Sequence, residues 1–119
     1  MTHPGHRYER IAEEIHHEVT AMLAGELKDP RIAPFATVTE VRVSAGMKQV
    51  RIFVNVQGTA EEQADTIKGL EKATGFIRHE LVERLRLRRG PELFFILDNS
   101  EQNAQRIDEL LRQSKQRDS

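Results

Sequence analysis

Along the first part of the chain, apolar residues return every three or four positions. Tyr8, Ile11, Ile15, Val19, Met22 and Leu23 make one stripe, while Glu9, Glu13, Glu14 and Glu18 avoid it. That period predicts an amphipathic helix from about His6 to Leu27. The pattern stops at Lys28-Asp29-Pro30-Arg31, because proline donates no backbone hydrogen bond and disfavours a helical residue before it. Beyond the proline the period changes to two. Val50, Ile52, Val54 and Val56 alternate with Gln49, Arg51, Phe53 and Asn55, as in a strand with one buried face. The preceding run FATVTEVRVS is also rich in β-branched residues, but its alternation slips. Val41 and Val43 share a face and Val38 falls on the other, so a bulge or burial on both faces is expected. Ser44-Ala45-Gly46-Met47 between the two strands reads as a hairpin turn.

Gly58 closes the second strand, and Thr59-Ala60-Glu61-Glu62 has the T-x-x-E form of a capping box that opens a helix. Ala64, Ile67, Leu70 and Ala73 give this helix its apolar side. Gly75 interrupts it, and Ile77, Leu81, Val82 and Leu85 carry a third helix towards Gly90-Pro91. The run ELFFILD is a short strand with apolar residues on both faces, expected to be covered on both sides or to lie inside the sheet. A short amphipathic helix on Ala104, Ile107 and Leu110 or Leu111 follows, and a tail over 113–119 is expected to be disordered. The order is α-β-β-α-α-β plus a terminal helix, an α+β chain forming one domain over residues 1–112. Two helices between the second and third strands are long enough for a crossover, so those strands can run parallel. Three amphipathic helices can cover the apolar face of a three-stranded sheet.

Composition narrows the chemistry. The chain has 119 residues, enough to bury about two-thirds of its unfolded surface around one core. It contains no cysteine, which excludes disulfides, thiol nucleophiles and cysteine-based zinc sites and fits a reducing cytoplasm. The longest apolar run, Leu93 to Leu97, is far short of the roughly 20 residues a membrane span needs, and Met1–Arg10 lacks an apolar signal core. A cytoplasmic location with no membrane partner is expected. The net charge is −1, which taken alone argues against a generic nucleic-acid binder. The distribution argues otherwise, since Arg78–Arg89 carries five arginines against two glutamates. A phosphate backbone responds to such a local bias.

The arginines sort by position. Glu80 and Arg84 stand four apart with the acid first, the favoured helical ion pair. Arg78 lies in the sector of Leu81, Val82 and Leu85, so it must run its stem outward, pair with an acid or reach the break at Gly75, with a slight preference for the last. Arg86, Arg88 and Arg89 exceed what compensation of a helix C-terminus requires. Lys68 and Lys72 share a helical face just before the break. Gly75 itself has two compatible readings: a left-handed residue terminating one helix, or part of a small-residue break, Ala73-Thr74-Gly75, where the next helix offers open N–H groups to an anion. Phe76 beside it could stack on a base, but a core position is the preferred reading. His16 and His17 cannot face the same way, the HExxH pattern is incomplete, and no phosphate loop, dinucleotide fingerprint or nucleophile elbow is present. No catalytic constellation and no cofactor or metal site emerges.

The pieces RIAEEIHHEV, LKDPRI, TVTEVRVS, VRIFVNV, GLEKATGFIRHEL, LRLRRGPELFF and LDNSEQNAQRIDELL occur in that order, and as an ordered set the chain resembles the ribosome-binding factor A family from Arg7 to about Leu111. The resemblance implies a type II KH-like fold whose usual GXXG loop is absent, with Ala73-Thr74-Gly75 matching the family's Ala-x-Gly break at that place. It departs from the family pattern at Ala45-Gly46-Met47, where an acidic residue is usual. It further implies a monomeric, non-enzymatic factor that binds the immature 30S subunit and its 16S rRNA. Such factors support late maturation, including processing of the RNA 5′ end, and growth in the cold. On this reading Arg31, Lys68, Lys72, Ala73, Thr74, Gly75, Arg78, Arg86, Arg88 and Arg89 form the RNA-binding surface, mostly through phosphates. The rival reading from the residues is a protein-interaction module that turns the arginine-rich helix toward an acidic protein partner.

Overall fold

The computed structural model describes residues 4–27, 31–32 and 36–98, with side chains described from Tyr8 onward. The expected terminal helix and the tail lie outside these residues. Helix α1 spans Pro4–Ala21 and continues as a wider turn over Met22–Glu26, closed by the Leu27 N–H donating to the Met22 carbonyl at 3.1 Å. Strand β1 (Ala36–Val43) and strand β2 (Gln49–Val56) form the hairpin, helices α2 (Ala60–Lys72) and α3 (Thr74–Leu85) follow, and strand β3 (Glu92–Leu97) completes the order. The expected α-β-β-α-α-β succession is therefore present.

The sheet order is β1-β2-β3, with β1 antiparallel and β3 parallel to the central β2. The irregular alternation of β1 resolves into a bulge. Val38 pairs with Val54, Thr39 is passed over, and Glu40 pairs with Phe53, so Val41 and Val43 come opposite Ile52 and Val50. The extra residue brings Val38, Val41 and Val43 onto the same apolar face despite their unequal spacing. Thr39 itself uses its hydroxyl, donating to Asp98 Oδ2 at 2.6 Å beyond the end of β3. The buried alternation of β2 is as regular as its sequence, and Val50, Ile52 and Val54 are fully buried at the centre of the core. Ile15, Val19 and Met22 of α1, Leu70 of α2, and Ile77 and Leu81 of α3 close over them.

One expectation about the sheet fails. β3 is an edge strand, and its two faces differ: Leu93 and Phe95 are buried, whereas Phe94 is 38% exposed. The core lies on the face of Val50, Ile52 and Val54, so Arg51, Phe53 and Phe94 are left on the opposite face. There Arg42 lies over the Phe53 ring, 5.3 Å from its centroid.

Two polar devices fix the helices. Thr59 caps α2 by accepting from the Glu62 N–H at 3.1 Å, and Glu62 Oε1 accepts from the Thr59 N–H at 3.1 Å, which is the expected capping box. Hydrogen bonding to the carboxylate from Thr59, by its backbone N–H first and its hydroxyl second, holds the Glu62 carboxyl below its ordinary value against an opposing effect of burial. The buried Gln63 then donates to the Val56 carbonyl at 3.1 Å and ties the start of α2 to the end of β2. Replacing Thr59 by Ala should lower the unfolding free energy by about 1 kcal/mol, measured by urea denaturation. Because the folded Glu62 pKa is depressed, its contribution is present above the unfolded value of 4.5 and fades as pH falls through the folded one. Acid denaturation should accordingly be shallower below pH 4.5 in Glu62→Gln than in the parent; identical acid limbs would contradict this.

Candidate nucleic-acid interface

The five arginines from Arg78 to Arg89 go to three places. Arg84 meets Glu80 at 3.1 Å as its spacing predicts, and it also binds Glu18 at 3.0 Å and Glu26 at 2.6 Å. Hydrogen bonds to Glu26 and Glu18 lead in holding its guanidinium charged well above the usual range. Arg84 is thus a clamp between α3 and the end of α1, not a free cation. Arg78 does not reach the break. Its aliphatic stem lies over Gly90, so close that a Cβ there would fall 2.7 Å from Arg78 Cδ. The absence of a side chain at Gly90 lets the stem run outward across the loop, the snorkelling alternative.

Arg86, Arg88 and Arg89 make the third group. Arg86 ends α3 in the left-handed conformation (φ 52°, ψ 50°), and the Leu87 N–H closes the turn on the Val82 carbonyl at 3.1 Å. This is the geometry usually given to glycine at a helix end. It makes α3 stop at Leu85, short of Gly90-Pro91, and turns Leu87 toward the core while Arg88 and Arg89 stay exposed. The loop is then held against the β1–β2 hairpin by the Glu92 N–H donating to the Lys48 carbonyl at 2.9 Å. The hairpin turn carries two left-handed residues, Gly46 (φ 76°) and Met47 (φ 57°), and the Gly46 N–H donates to the Tyr8 hydroxyl at 2.8 Å.

Three segments therefore enclose one groove of about 860 Å³: the start of α1, the hairpin turn and the loop from α3 to β3. Lys48, Arg86, Arg88 and Arg89 are its cations, and no acidic residue is among the described residues that line it. Lys48 and Tyr8 were not legible as members of this site. Tyr8 reads as one more position in the apolar stripe, and Lys48 joins the arginines only through the parallel register of β2 and β3.

The remaining candidates sit elsewhere. Lys68 and Lys72 are exposed on α2, as expected of a solvated face. Arg31 is half-buried and engaged in an interaction of its own. The break between the helices falls on Ala73, whose dihedrals (φ −83°, ψ −1°) stay close to helical. Its N–H donates to the Gly69 carbonyl at 3.0 Å, and its carbonyl accepts from Ile77 at 2.9 Å. Thr74 Oγ1 donates to the Leu70 carbonyl at 3.2 Å across the same point. Gly75 is inside α3 and is not left-handed, so the terminator reading is overturned; the left-handed helix end belongs to Arg86. Phe76 is 46% exposed, against the preferred core position, because it shares the outer side of α3 with Gly75 and His79 while Ile77 points inward. Among the described residues, no group of three His, Asp or Glu is placed to hold a metal ion, and no helix is long and apolar enough to cross a membrane.

A family profile described as ribosome-binding factor A matches residues 7–111. The chain belongs to the ribosome-binding factor A family. Curated relatives include the ribosome-binding factor A of Koribacter versatilis, 46% identical over 94% of this chain and 90% of that one. That of Acetivibrio thermocellus is 41% identical over 91% of this chain and 88% of its own. Among solved structures, the solution structure of the Thermotoga maritima ribosome binding factor A aligns with a TM-score of 0.68 at 30% identity, covering 80% of this chain and 90% of that one. A homology model of the Thermus thermophilus factor, fitted into the cryo-EM map of a 30S complex, aligns with a TM-score of 0.55 at 26% identity, covering 72% of this chain and 93% of that one. The family's members are non-enzymatic ribosome assembly factors, and the α+β, KH-like architecture is shared.

The geometry at Gly75 has a direct consequence. A Cβ there would meet nothing within 4 Å. Gly75→Ala should therefore stabilise the protein by about 0.5–1 kcal/mol in chemical denaturation, from the lower chain entropy of alanine and its better helix propensity. A loss of stability would show that the glycine is required by the fold.

Proposed function

We propose that this chain binds the immature small ribosomal subunit through its 16S rRNA, as a monomeric cytoplasmic assembly factor. On this reading it supports late maturation, including processing of the rRNA 5′ end, and growth in the cold, and it leaves before translation. The observation that carries the reading is the convergence of Lys48, Arg86, Arg88 and Arg89 on one groove free of lining acids among the described residues. Membership of the ribosome-binding factor A family supports it, and the 30S complex of the Thermus thermophilus relative supplies the partner by likeness. Phosphate contacts give affinity and orientation, and no sequence reading is required of them. Arg78, whose stem lies over Gly90 of the same loop, extends this surface; Lys68, Lys72 and the break at Ala73-Thr74-Gly75 with the exposed Phe76 would be a separate contact region. Arg31 is the least suited member, being half-buried and engaged.

Arg86 offers a test that separates binding from folding. A non-glycine residue in the left-handed region costs roughly 1 kcal/mol. Arg86→Gly should keep or raise the thermal midpoint while weakening association with 30S subunits in sedimentation, and the double variant Arg86→Glu, Arg89→Glu should weaken it further. Each lost phosphate contact should also flatten the dependence of log affinity on log salt by about 1. Unchanged co-sedimentation of the folded double variant would exclude this surface, and retained association with 30S subunits without affinity for bare 16S rRNA would favour an acidic protein partner.

A further inference from the structure

The groove has two unlike halves. Its rim is cationic, and its floor is apolar: Tyr8, Ile11, Met47 and Leu87 are all half-buried there beside the buried Pro91. A surface that only followed a phosphate backbone would need the rim and not the floor. The walls are also fixed before any ligand arrives, since backbone groups join them in pairs: the Gly46 N–H to the Tyr8 hydroxyl at 2.8 Å and the Glu92 N–H to the Lys48 carbonyl at 2.9 Å. A volume of about 860 Å³ is in the range of small-ligand sites and fits a ring system better than a paired helix. In a duplex the base faces are stacked away, so only an unpaired base can present one to an apolar slot.

We propose that this groove takes an unpaired RNA nucleotide, its base lying against Tyr8 and Met47 and the flanking phosphates on Lys48, Arg86, Arg88 and Arg89. The proposal rests on the RNA reading above and narrows it to single-stranded RNA at this site. Tyr8 supplies the stacking face, and its hydroxyl, occupied by the Gly46 N–H, sets the angle of the ring. Met47 adds a polarizable thioether at a backbone position fixed by the turn. The absence of lining acids among the described residues favours the polyanion over a peptide of mixed charge.

Fluorescence anisotropy on the full chain decides the matter, using a labelled single-stranded RNA, its duplex, the same strand with abasic sites, and an oligoglutamate peptide. The single strand should bind about tenfold or more tightly than the duplex or the abasic strand. Tyr8→Ala should remove that preference with the salt slope unchanged, whereas Tyr8→Phe, which keeps the ring but loses the bond from Gly46, should retain part of it. Met47→Asn, uncharged and at a left-handed position that asparagine tolerates, should lower the same single-strand preference and decides the case if Tyr8→Ala does not fold. Equal affinity for strand, duplex and abasic strand overturns the nucleotide slot and leaves phosphate-mediated subunit binding standing. A parental preference for the single strand in a folded Tyr8→Ala or Met47→Asn does the same. Tyr8-dependent capture of oligoglutamate without RNA binding overturns both.

Discussion

The parallel pairing of β2 with β3 is the constraint on which the rest of the molecule depends. A parallel neighbour cannot be reached by a tight turn, so the chain must cross over the sheet, and α2 and α3 are that crossover. The crossover completes, with α1, the second layer that closes the core. The same register, Gln49 beside Glu92, fixes where the crossover must return. It returns next to the hairpin turn, and the Glu92 N–H bonds to the Lys48 carbonyl there. An arginine-rich loop and a hairpin distant in sequence are thereby made neighbours. The groove is a by-product of strand register, and its cations need no attraction for one another to be assembled.

Acids near the end of α3 are used on a different arginine from those of the groove. Glu18, Glu26 and Glu80 gather on Arg84, at the end of α3 facing α1. Exposed ion pairs are individually weak, but a shared guanidinium with three carboxylates fixes how α3 lies on α1. Beyond Arg84 the chain turns at Arg86, and Arg86, Arg88 and Arg89 line the groove. Three acids thus position a helix on Arg84, while none of the described residues lining the groove is acidic. This segregation reconciles a net charge of −1 with a surface suited to phosphate.

How much could be read in advance follows from the range of each interaction. The period-two run of β2, the capping box at Thr59 and the Glu80–Arg84 pair are local, and the structure contains each as its spacing implies. The bulge at Thr39 was half legible: the slip between Val38 and Val41 pointed to it, but only pairing with Val54 and Ile52 decides between a bulge and two-sided burial. Gly75 shows a limit of local reasoning. Glycine permits a left-handed turn without requiring one, and here the backbone spends that conformation on Arg86 instead. Phe94 and Phe76 escaped because hydrophobicity does not say which face is covered; β3 lies at an edge and Phe76 on the outer side of α3. Arg78 depended on a gap at Gly90, a contact between elements that no spacing within the helix encodes.

The left-handed residues carry the last step. Gly46, Met47 and Arg86 all border the groove, and two of them are not glycine. Glycine would satisfy both turns with less strain. At Arg86 the retained side chain adds a cation to the rim, and at Met47 it adds apolar surface to the floor. Backbone strain of this kind persists where the surrounding structure over-determines it, and here hydrogen bonds from Leu87 and Glu92 hold the loop on either side. The fold therefore accepts a small loss at two turns in return for side chains pointed at a common space. A KH-like domain without a GXXG loop has no glycine-lined path for a phosphate backbone between its helices. In this chain the cluster of Lys48, Arg86, Arg88 and Arg89 lies at the other end of α3, where the helix stops on an arginine.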